Sequence, residues 1–424
     1  MNFLGLKNGR RSSCNTVMSG FRYLLIAIFL TIIVQQGFNW SISHRTLNRI
    51  SKNAQENEVG QNYRDKRHRR SHFGHNFTFT TNVKKQMCSD KVKWKTKGIL
   101  AEVTSDMEYW TFDKRRTCKE INIDKVGTRP KRLKMEFICK NNKISFKWTN
   151  DTNNIYTAPF GDNCIERYIS SCCYGDKLVP NVVHYVWYSR GELSFVGFMS
   201  LLSVIRFVNP CLIIFHGDTL PNGRYWDFIV NISPNLIHLQ RERPEFVFGQ
   251  RFGHNEHSGD IMRIEALLQY GGIYMDTDTV LVRPIDELRQ YACVMSTQLR
   301  RLGSAFILAE KNATFLQKWM DGYRYKYNRL DYTYNAMTYP QILALKYSNL
   351  IHVEIGTASR PKDLFGFKFY SRRYEMYNWS KVYGVHLFTR GYGGPLNETT
   401  IRDMHSPCGS VMRHIFYGNK DLCF

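Results

Sequence analysis

The chain has 424 residues, of which 59 are Lys or Arg and 36 are Asp or Glu, which gives a formal net charge of +23. Hydrophobic residues make up 43% of the sequence, which excludes a wholly disordered chain, and neither a Gly-x-y period nor a heptad array indicates a fibre. A single apolar run near the start excludes a polytopic membrane protein. The length fits one large domain or two smaller ones.

The apolar run, residues 23–34, follows a cluster of positive residues, and no small-residue cleavage pattern comes after it. Extended to 21–38, it reaches about the 17–20 residues needed to span a bilayer. Because positive flanks stay in the cytosol, we expect residues 1–20 to form a cytosolic tail and 21–38 an uncleaved transmembrane signal anchor. A cleaved signal peptide is the alternative. The rest of the chain is then luminal, as in a single-pass type II membrane protein.

Two features agree with a luminal, oxidising compartment. Ten cysteines besides Cys14 allow complete disulfide pairing, although the connectivity stays open and several buried free thiols are the alternative. No Cys/His spacing indicates a zinc site. Sequons for N-glycosylation, which would make this a glycoprotein, occur at Asn39, Asn76, Asn150, Asn231, Asn312, Asn378 and Asn397.

The next two regions differ from each other in composition. Residues 39–85 are polar and include a basic run at 64–70, which indicates a flexible basic stem rather than a nucleic-acid patch, so we expect no nucleic-acid partner. Residues 86–175 combine spread cysteines with short strand-like stretches at 107–112, 135–140 and 144–148. They predict a small, disulfide-containing, strand-rich membrane-proximal region.

Residues 176–424 alternate strand-like and helix-like segments. A strand over 181–188, a helix over 192–207 and a strand over 211–218 form a βαβ unit, which predicts an α/β fold with a mostly parallel sheet and flanking helices. Such sheets bind ligands beyond the carboxyl ends of their strands. The polar residues there are either linings of a site or ordinary turn residues, namely Ser189, His216 and Asp218.

The most informative segment is 257–282. Ser258 is predicted to cap a helix over 259–270 that two glycines end. Asp260 falls at the edge of the apolar stripe of this helix, and Arg263 lies one turn further on. A charge directed towards an apolar interior needs a partner or a ligand. An i, i+3 ion pair on a solvated face is the alternative.

A strand over 273–275 follows this helix, and Asp276 and Asp278 come directly after it. Two carboxylates two residues apart at the end of an apolar strand repel each other unless a cation lies between them. Hard oxygen ligands in a partly open coordination sphere suit Mg²⁺ or Mn²⁺ shared with substrate phosphates. Taken alone, Asp-x-Asp is also common in turns and calcium loops.

The order Ser-x-Asp-x-x-Arg, a helix, and Tyr-Gly-Gly-Ile-Tyr-x-Asp-x-Asp resembles the sugar-nucleotide site of DXD-type glycosyltransferases. The group that it resembles most is the α1,4-galactosyltransferase and α1,4-N-acetylglucosaminyltransferase family, to which residues 179–187 and 216–218 are also similar. The resemblance covers roughly 178–418. It implies a GT-A-like (Rossmann-like) catalytic domain over 176–424, in a type II protein of the Golgi membrane with its catalytic domain in the lumen.

The resemblance also implies a metal site. Asp276 and Asp278 would hold a divalent cation, Mn²⁺ or Mg²⁺, on the diphosphate of a UDP-sugar. Residues 384–388 are similar to a late strand of the family that carries a histidine, which implies that His386 completes the metal or diphosphate site. A core histidine satisfied by the backbone is the alternative for His386.

Further residues gain a role only through this resemblance. Asp260 and Arg263 would act on the donor sugar, and with Asp278 they are the expected catalytic residues. Tyr185 and Trp187 would lie near the nucleotide base and ribose. The family implies a retaining reaction, for which the sequence names no nucleophile.

On the acceptor side, 302–320 and 335–347 occupy the place of the family's acceptor segments, and the aromatic-rich 323–334 either stacks sugar rings or packs in the core. The implied activity is metal-dependent transfer of a hexose or N-acetylhexosamine from a UDP-sugar to a glycolipid or glycoprotein glycan. One alternative is a catalytically inactive glycan-binding relative that retains the fold. Another is a polyanion-binding module with a calcium site.

Overall fold

The computed structural model describes residues 134–138, 143–147, 155–188, 190–233, 235–298, 301–355, 369–370, 379–389 and 394–417. The predicted tail, signal anchor and stem, the stretch at 107–112, and Ser189 lie outside these residues. None of the helices in the described ranges is both long and apolar enough to span a membrane.

The described strands are, in chain order, β1 (Lys134–Ile138), β2 (Lys143–Lys147), β3 (Tyr156–Pro159), β4 (Val182–Val186), β5 (Leu212–Gly217), β6 (Leu236–Gln240), β7 (Phe246–Val247), β8 (Gln250–Arg251), β9 (Gly272–Met275), β10 (Thr279–Leu281), β11 (Cys293–Gln298), β12 (Arg301–Ala309), β13 (His352–Glu354) and β14 (Gly384–His386). The α-helices are α1 (Asn163–Cys172), α2 (Phe195–Phe207), α3 (Arg224–Ile232), α4 (Glu256–Tyr270), α5 (Thr314–Tyr325), α6 (Tyr339–Lys346) and α7 (Pro407–Tyr417). A π-helical turn, Tyr334–Thr338, precedes α6.

Eight of these strands form one sheet, in the order β13-β11-β12-β9-β4-β5-β6-β3. Neighbouring strands are parallel except at β11-β12 and β12-β9, so the prediction of a mostly parallel sheet with flanking helices is confirmed. Because β3, β6, β5, β4 and β9 all run the same way, their carboxyl ends meet at one edge. We call this the catalytic edge.

The predicted elements agree with the structure in place and in type. The βαβ unit is present as β4, α2 and β5. Helix α2 begins at Phe195 rather than at Glu192, because the Ser194 hydroxyl accepts the Gly197 amide at 3.1 Å and caps the helix there. The strand-like stretches at 135–140 and 144–148 are the antiparallel pair β1-β2.

Side chains that alternate along the strands divide the core between the two faces of the sheet. Val183, Tyr185 and Ile273 belong to the face that α2, α3 and α7 cover. Tyr274 and Ile307 belong to the opposite face, which α4 and α5 cover. Each fully buried side chain of this size stabilises the fold by about 1.5–3 kcal/mol. This division decides which side chains can meet α4.

Residues 155–175 pack with the large sheet, although the sequence groups them with the membrane-proximal region. Strand β3 pairs in parallel with β6 at the sheet margin, and α1 contributes Ile165 and Ile169 to a core shared with β4 to β6. Asp162 caps α1 by accepting two backbone amides at 2.9 Å. The disulfide Cys173–Cys211 joins the chain after α1 to the residue before β5.

The cysteines divide into bonded and free ones. Cys164 is disulfide-bonded, as are Cys173 and Cys211. Cys293 and Cys408 are free thiols, fully buried in the two cores. Complete pairing of the ten cysteines after Cys14 is therefore wrong, and the alternative of buried free thiols holds for these two, because a buried thiol inside a sheet or helix packs as a small apolar side chain.

Candidate active site

Helix α4 brings the first candidate residues to the catalytic edge. It begins at Glu256 after Asn255, so the prediction that Ser258 caps it is wrong: Ser258 lies in the first turn and its hydroxyl donates to the Asn255 carbonyl at 2.7 Å. Gly271 ends the helix as predicted, with φ +66°. Gly272 follows with φ +118°, and a Cβ there would lie 2.6 Å from the Val182 carbonyl oxygen. The two glycines let β9 start directly against β4.

Asp260 and Arg263 form a buried ion pair in which Nη2 of Arg263 lies 3.2 Å from Oδ1 of Asp260. Their side chains are only 9% (Arg263) and 5% (Asp260) exposed, so the alternative of a pair on a solvated face is wrong. Burial raises the pKa of the Asp260 carboxyl, against the opposing effect of Arg263. Burial alone would lower the pKa of Arg263, but Asp276, Tyr274 and Asp260 hold it above its ordinary value.

The same guanidinium links α4 to the end of β9. Nη1 of Arg263 lies 3.5 Å from Oδ1 of Asp276 and donates to the backbone and hydroxyl oxygens of Ser304 at 2.7 and 2.9 Å. The Tyr274 hydroxyl donates to the same Asp276 oxygen at 2.7 Å, and its ring lies under Arg263. Tyr274 and Asp276 can both meet α4 because they are two residues apart in an extended segment. These contacts hold the Asp276 carboxylate in one orientation.

Asp278 meets a residue from far along the sequence. Strand β14 pairs antiparallel with β10 so that His386 lies opposite Thr279, and the Leu387 amide donates to the Asp278 carbonyl at 2.8 Å. Nε2 of His386 is 3.0 Å from Oδ1 of Asp278. The Phe388 ring lies 3.7 Å from the imidazole, on a backbone with φ +53°, which is strained for an aromatic residue. The late histidine is therefore at the site and not in the core.

These three residues fit a divalent cation. Asp276, Asp278 and His386 each offer one ligand atom, and these atoms all lie within 4.8 Å of one another. Carboxylate and imidazole groups are both common metal ligands in proteins. Arg263 pairs with Asp260 and Asp276, whereas Asp278 pairs with His386, so the three carboxylates carry more negative charge than this one guanidinium balances. Side-chain exposures of 26% for Asp276 and 30% for Asp278 leave the cluster open to a substrate.

The structure corrects two of the other expectations. Tyr185 has no exposed surface, packs under α2 on the face opposite to Tyr274, and its hydroxyl lies 3.0 Å from that of Ser200, so it offers nothing to a nucleotide. His216 is equally buried, with Nε2 2.9 Å from Nδ1 of His184, and does not line the site. Trp187 is partly buried just beyond β4, and its contact with a nucleotide stays a prediction.

Asp218, in contrast, lines a cavity of about 510 Å³ at the catalytic edge. The other lining residues come from the ends of β3 and β6, namely Thr157, Ala158, Pro159, Gln240, Arg241 and Glu242. Arg241 stacks on the Phe160 ring at 4.1 Å and pairs with Glu265 of α4. At about 4.8 Å per strand, two to four strand spacings, roughly 10–19 Å, separate the linings of this cavity from the end of β9. The catalytic edge thus has a cluster of possible metal ligands after β9 and a polar cavity beside Asp218.

Several residues of the site were not anticipated. Tyr274 and Ser304 fix Asp276 and Arg263, and Phe388 packs on His386. Tyr323 of α5 is a fully buried neighbour of Asp260. Tyr274 and Phe388 had a signal in the sequence, since each lies two residues from a predicted site residue, Asp276 and His386 respectively. The contacts of Ser304 and Tyr323 join segments distant in sequence.

Comparison with known proteins agrees with this site. Residues 224–295, which include α4 and both aspartates, match a family described as "Glycosyltransferase sugar-binding region containing DXD motif". Over 165 residues the chain is 30% identical to Glucan organizing enzyme 1 of Cryptococcus neoformans var. grubii, which covers 34% of this chain and 44% of that protein. Over 167 residues it is 28% identical to an uncharacterized protein of Arabidopsis thaliana, covering 34% and 25%. The matches span less than half the length of these relatives.

Solved structures with distant similarity include two further transferases. Galactosyltransferase LgtC is 13% identical, with 57% of this chain and 97% of that chain covered and a TM-score of 0.34. Mouse xyloside xylosyltransferase 1 is 11% identical, with 51% and 100% covered and a TM-score of 0.34. The resemblance drawn from the motifs is confirmed by the family match, and residues 224–295 carry a glycosyltransferase sugar-binding region containing a DXD motif.

Proposed function

We propose that this protein is a metal-dependent, retaining glycosyltransferase with a GT-A-like catalytic domain. It moves a hexose or N-acetylhexosamine from a UDP-sugar to a glycolipid or glycoprotein glycan. The observation that carries the proposal is the cluster of Asp276, Asp278 and His386 within 4.8 Å, held against the buried Asp260–Arg263 pair at the carboxyl ends of parallel strands.

The reaction's difficulty is the negative charge that develops on the departing diphosphate as the bond from the sugar breaks. Asp276, Asp278 and His386 would hold a Mn²⁺ or Mg²⁺ ion. Such an ion, when bound, supplies Lewis-acid stabilisation of several kcal/mol to that diphosphate. Tyr274 and Arg263 keep Asp276 in its ligand orientation before substrate arrives, which lowers the reorganisation needed during the reaction.

Asp260 and Arg263 act in this proposal first through Asp276. Their mutual pairing and low exposure make them a rigid support for that carboxylate. The family resemblance implies that either residue contacts the donor sugar directly, and this contact stays part of the proposal. It would require the sugar to reach the small exposed fraction of the two side chains.

The cavity beside Asp218 suits the nucleoside end of the donor. It combines the Asp218 carboxylate and the Gln240 amide, which can hydrogen-bond a base or ribose, with the guanidinium of Arg241. The cavity and the metal cluster lie at the same edge of the sheet, two to four strand spacings apart, so an extended donor would lie along this edge. Trp187, between the two places at the end of β4, is then near the ribose.

The location is proposed on the sequence alone. Residues 21–38 would anchor the protein in the Golgi membrane as a type II protein, with the basic stem over 39–85 and the catalytic domain in the lumen. The Cys173–Cys211 disulfide supports an oxidising compartment.

The test is release of UDP from UDP-galactose and UDP-N-acetylglucosamine by the full-length protein, with and without Mn²⁺. We expect Mn²⁺-dependent release for one donor and a loss of at least about 100-fold, ~2.7 kcal/mol, in Asp278→Asn. Asp321→Asn, an exposed aspartate on α5, is the matched control and should keep full activity.

Release that persists undiminished in Asp278→Asn, or in a metal chelator, would contradict the metal assignment. If no donor is cleaved although Mn²⁺ and UDP bind, the alternative of an inactive glycan-binding relative is favoured.

A further inference from the structure

We propose that the surface formed by residues 246–251 and 324–332 docks on an anionic lipid bilayer. We call it the aromatic–basic surface. Its first segment is the hairpin β7-β8, and its second is the end of α5 with the loop that follows. The two segments touch, because the Arg324 guanidinium lies over the Phe248 ring at 4.4 Å and the Gly253 amide donates to the Tyr327 hydroxyl at 3.0 Å.

Large apolar side chains are concentrated on this surface. Their exposed fractions range from 44% to 87% for Phe246, Phe248, Tyr325, Leu330 and Tyr332. Single exposed apolar residues are normal on a soluble protein, but a contiguous group of this kind marks an interaction site. The group is continuous through His254, whose ring contacts that of Tyr332 and whose Nε2 lies 3.4 Å from the Leu330 carbonyl.

At the tip of the β7-β8 hairpin, Phe248 has a backbone conformation that disfavours a bulky side chain. Phe248 and Gly249 both have positive φ, +46° and +80°, as in the two-residue turns that prefer Asn-Gly. A bulky side chain at positive φ costs stability, and the Phe248 ring is 44% exposed, so the core does not recover that cost. A residue that breaks a local rule without a folding benefit indicates a role outside the fold.

The charge of the aromatic–basic surface indicates which partner binds it. The two segments carry four exposed basic residues, Arg251, Arg324, Lys326 and Arg329, against Asp331, with Glu245 just before the hairpin. Aromatic rings next to cations with long apolar stems are typical of surfaces that lie at the headgroup level of a bilayer, where anionic lipids add electrostatic attraction. Phe246 and Leu330 have no group to hydrogen-bond a sugar, whereas glycan subsites combine apolar contact with polar groups. A bilayer is therefore favoured over a soluble glycan.

The functional consequence of docking at this surface rests on the proposed function. Helix α4 starts beside the hairpin at the catalytic edge, and His257 joins it to the loop through the Tyr327 hydroxyl at 2.8 Å. Asp260 lies one turn further along α4. Docking here would hold the metal cluster close to the bilayer, which favours a lipid-linked acceptor over a soluble one.

The test is hydrogen–deuterium exchange of the full-length protein reconstituted with nanodiscs of phosphatidylcholine, and with nanodiscs that also contain phosphatidylserine. We expect exchange in 246–251 and 324–332 to slow at least about threefold with the anionic lipid only, because a covered surface exchanges more slowly. High salt should reverse the protection. Phe248→Asn, which suits the turn, and Arg324→Gln should each abolish it.

The matched control is Ile355→Asn, which removes an apolar side chain of equal exposure just after β13 and should keep the protection. Equal exchange in both nanodiscs and in detergent would overturn the proposal. Protection by soluble heparin without lipid would overturn it too, in favour of a polyanionic glycan. UDP release with Mn²⁺ is measured in parallel, so that failure of docking and failure of the transferase proposal are distinguished.

Discussion

The chain has two kinds of polar cluster around one sheet, and they differ in access to solvent. The open cluster, Asp276, Asp278 and His386, is a quarter or so exposed at its carboxylates and fits a cation. The buried clusters, Asp260–Arg263 and His184–His216, are closed. Similar residue types therefore serve ligand binding in one place and architecture in the other. The two aspartates of the open cluster lie directly after β9, whereas Asp260–Arg263 lies within α4 and His184–His216 within β4 and β5.

The largest expected effect comes from Arg263→Gln, which tests whether the buried Asp260–Arg263 pair stabilises the fold. The change leaves Asp260 as an unpaired buried charge, so the free energy of unfolding should fall by about 3–5 kcal/mol. Urea unfolding of the full-length protein measures it. Arg283→Gln removes an exposed pair with Glu287 and should cost at most about 1 kcal/mol. Equal losses in the two variants would show that Asp260–Arg263 behaves as a surface pair.

A second prediction concerns the pH dependence of stability. Burial lowers the pKa of His184 to about 4, below its ordinary 6.5, so the unfolded chain takes up a proton first as pH falls. The stabilisation is complete above pH 6.5 and is lost as pH falls through about 4, by about 3 kcal/mol at 1.36 kcal/mol per pH unit. Urea midpoints between pH 7 and pH 4 measure this loss.

His184→Gln should flatten that pH profile, whereas His405→Gln, at an exposed histidine, should leave it steep. An unchanged profile in His184→Gln would mean that the buried histidine pair does not control acid stability.

The smallest expected effect is on the affinity of the open cluster for Mn²⁺, and it tests whether that cluster binds an ion. His386→Gln removes one of three ligands, so affinity for Mn²⁺ should fall at least about tenfold, ~1.4 kcal/mol, while the free energy of unfolding changes little. Mn²⁺ titration followed by electron paramagnetic resonance measures the affinity. His352→Gln, at the far edge of the sheet, is the control. Unchanged Mn²⁺ affinity would remove His386 from the site.

The sequence could predict what depends on local pattern. The βαβ unit, the helix ended by Gly271 and the aspartates after β9 all follow from hydrophobic period and strand ends. The start of α4 was misjudged because serine favours the N-cap position, whereas the helix begins three residues earlier, after Asn255, without a side-chain cap hydrogen bond from that residue. Tyr185 was misjudged because a buried strand is apolar on both sides, so its pattern does not reveal which face meets α4.

Contacts between distant segments were beyond the sequence pattern. Ser304 and Tyr323 reach the site from β12 and α5. Their own neighbourhoods contain no periodicity that points to Asp276 or Asp260. His386 was found only through the family resemblance, and the pairing of β14 with β10 explains its position.

The pairing of β14 with β10 has a consequence for how the protein matures. His386 is synthesised 386 − 278 = 108 residues after Asp278, which at ribosomal rates of about 5–20 residues per second is a delay of about 5–22 seconds. Until residues 384–386 add to β10, the nascent chain has two of the three ligands. A one-residue slip in that short ladder would turn the imidazole to the other side. Loading of the ion should therefore report that the last segment has docked in register.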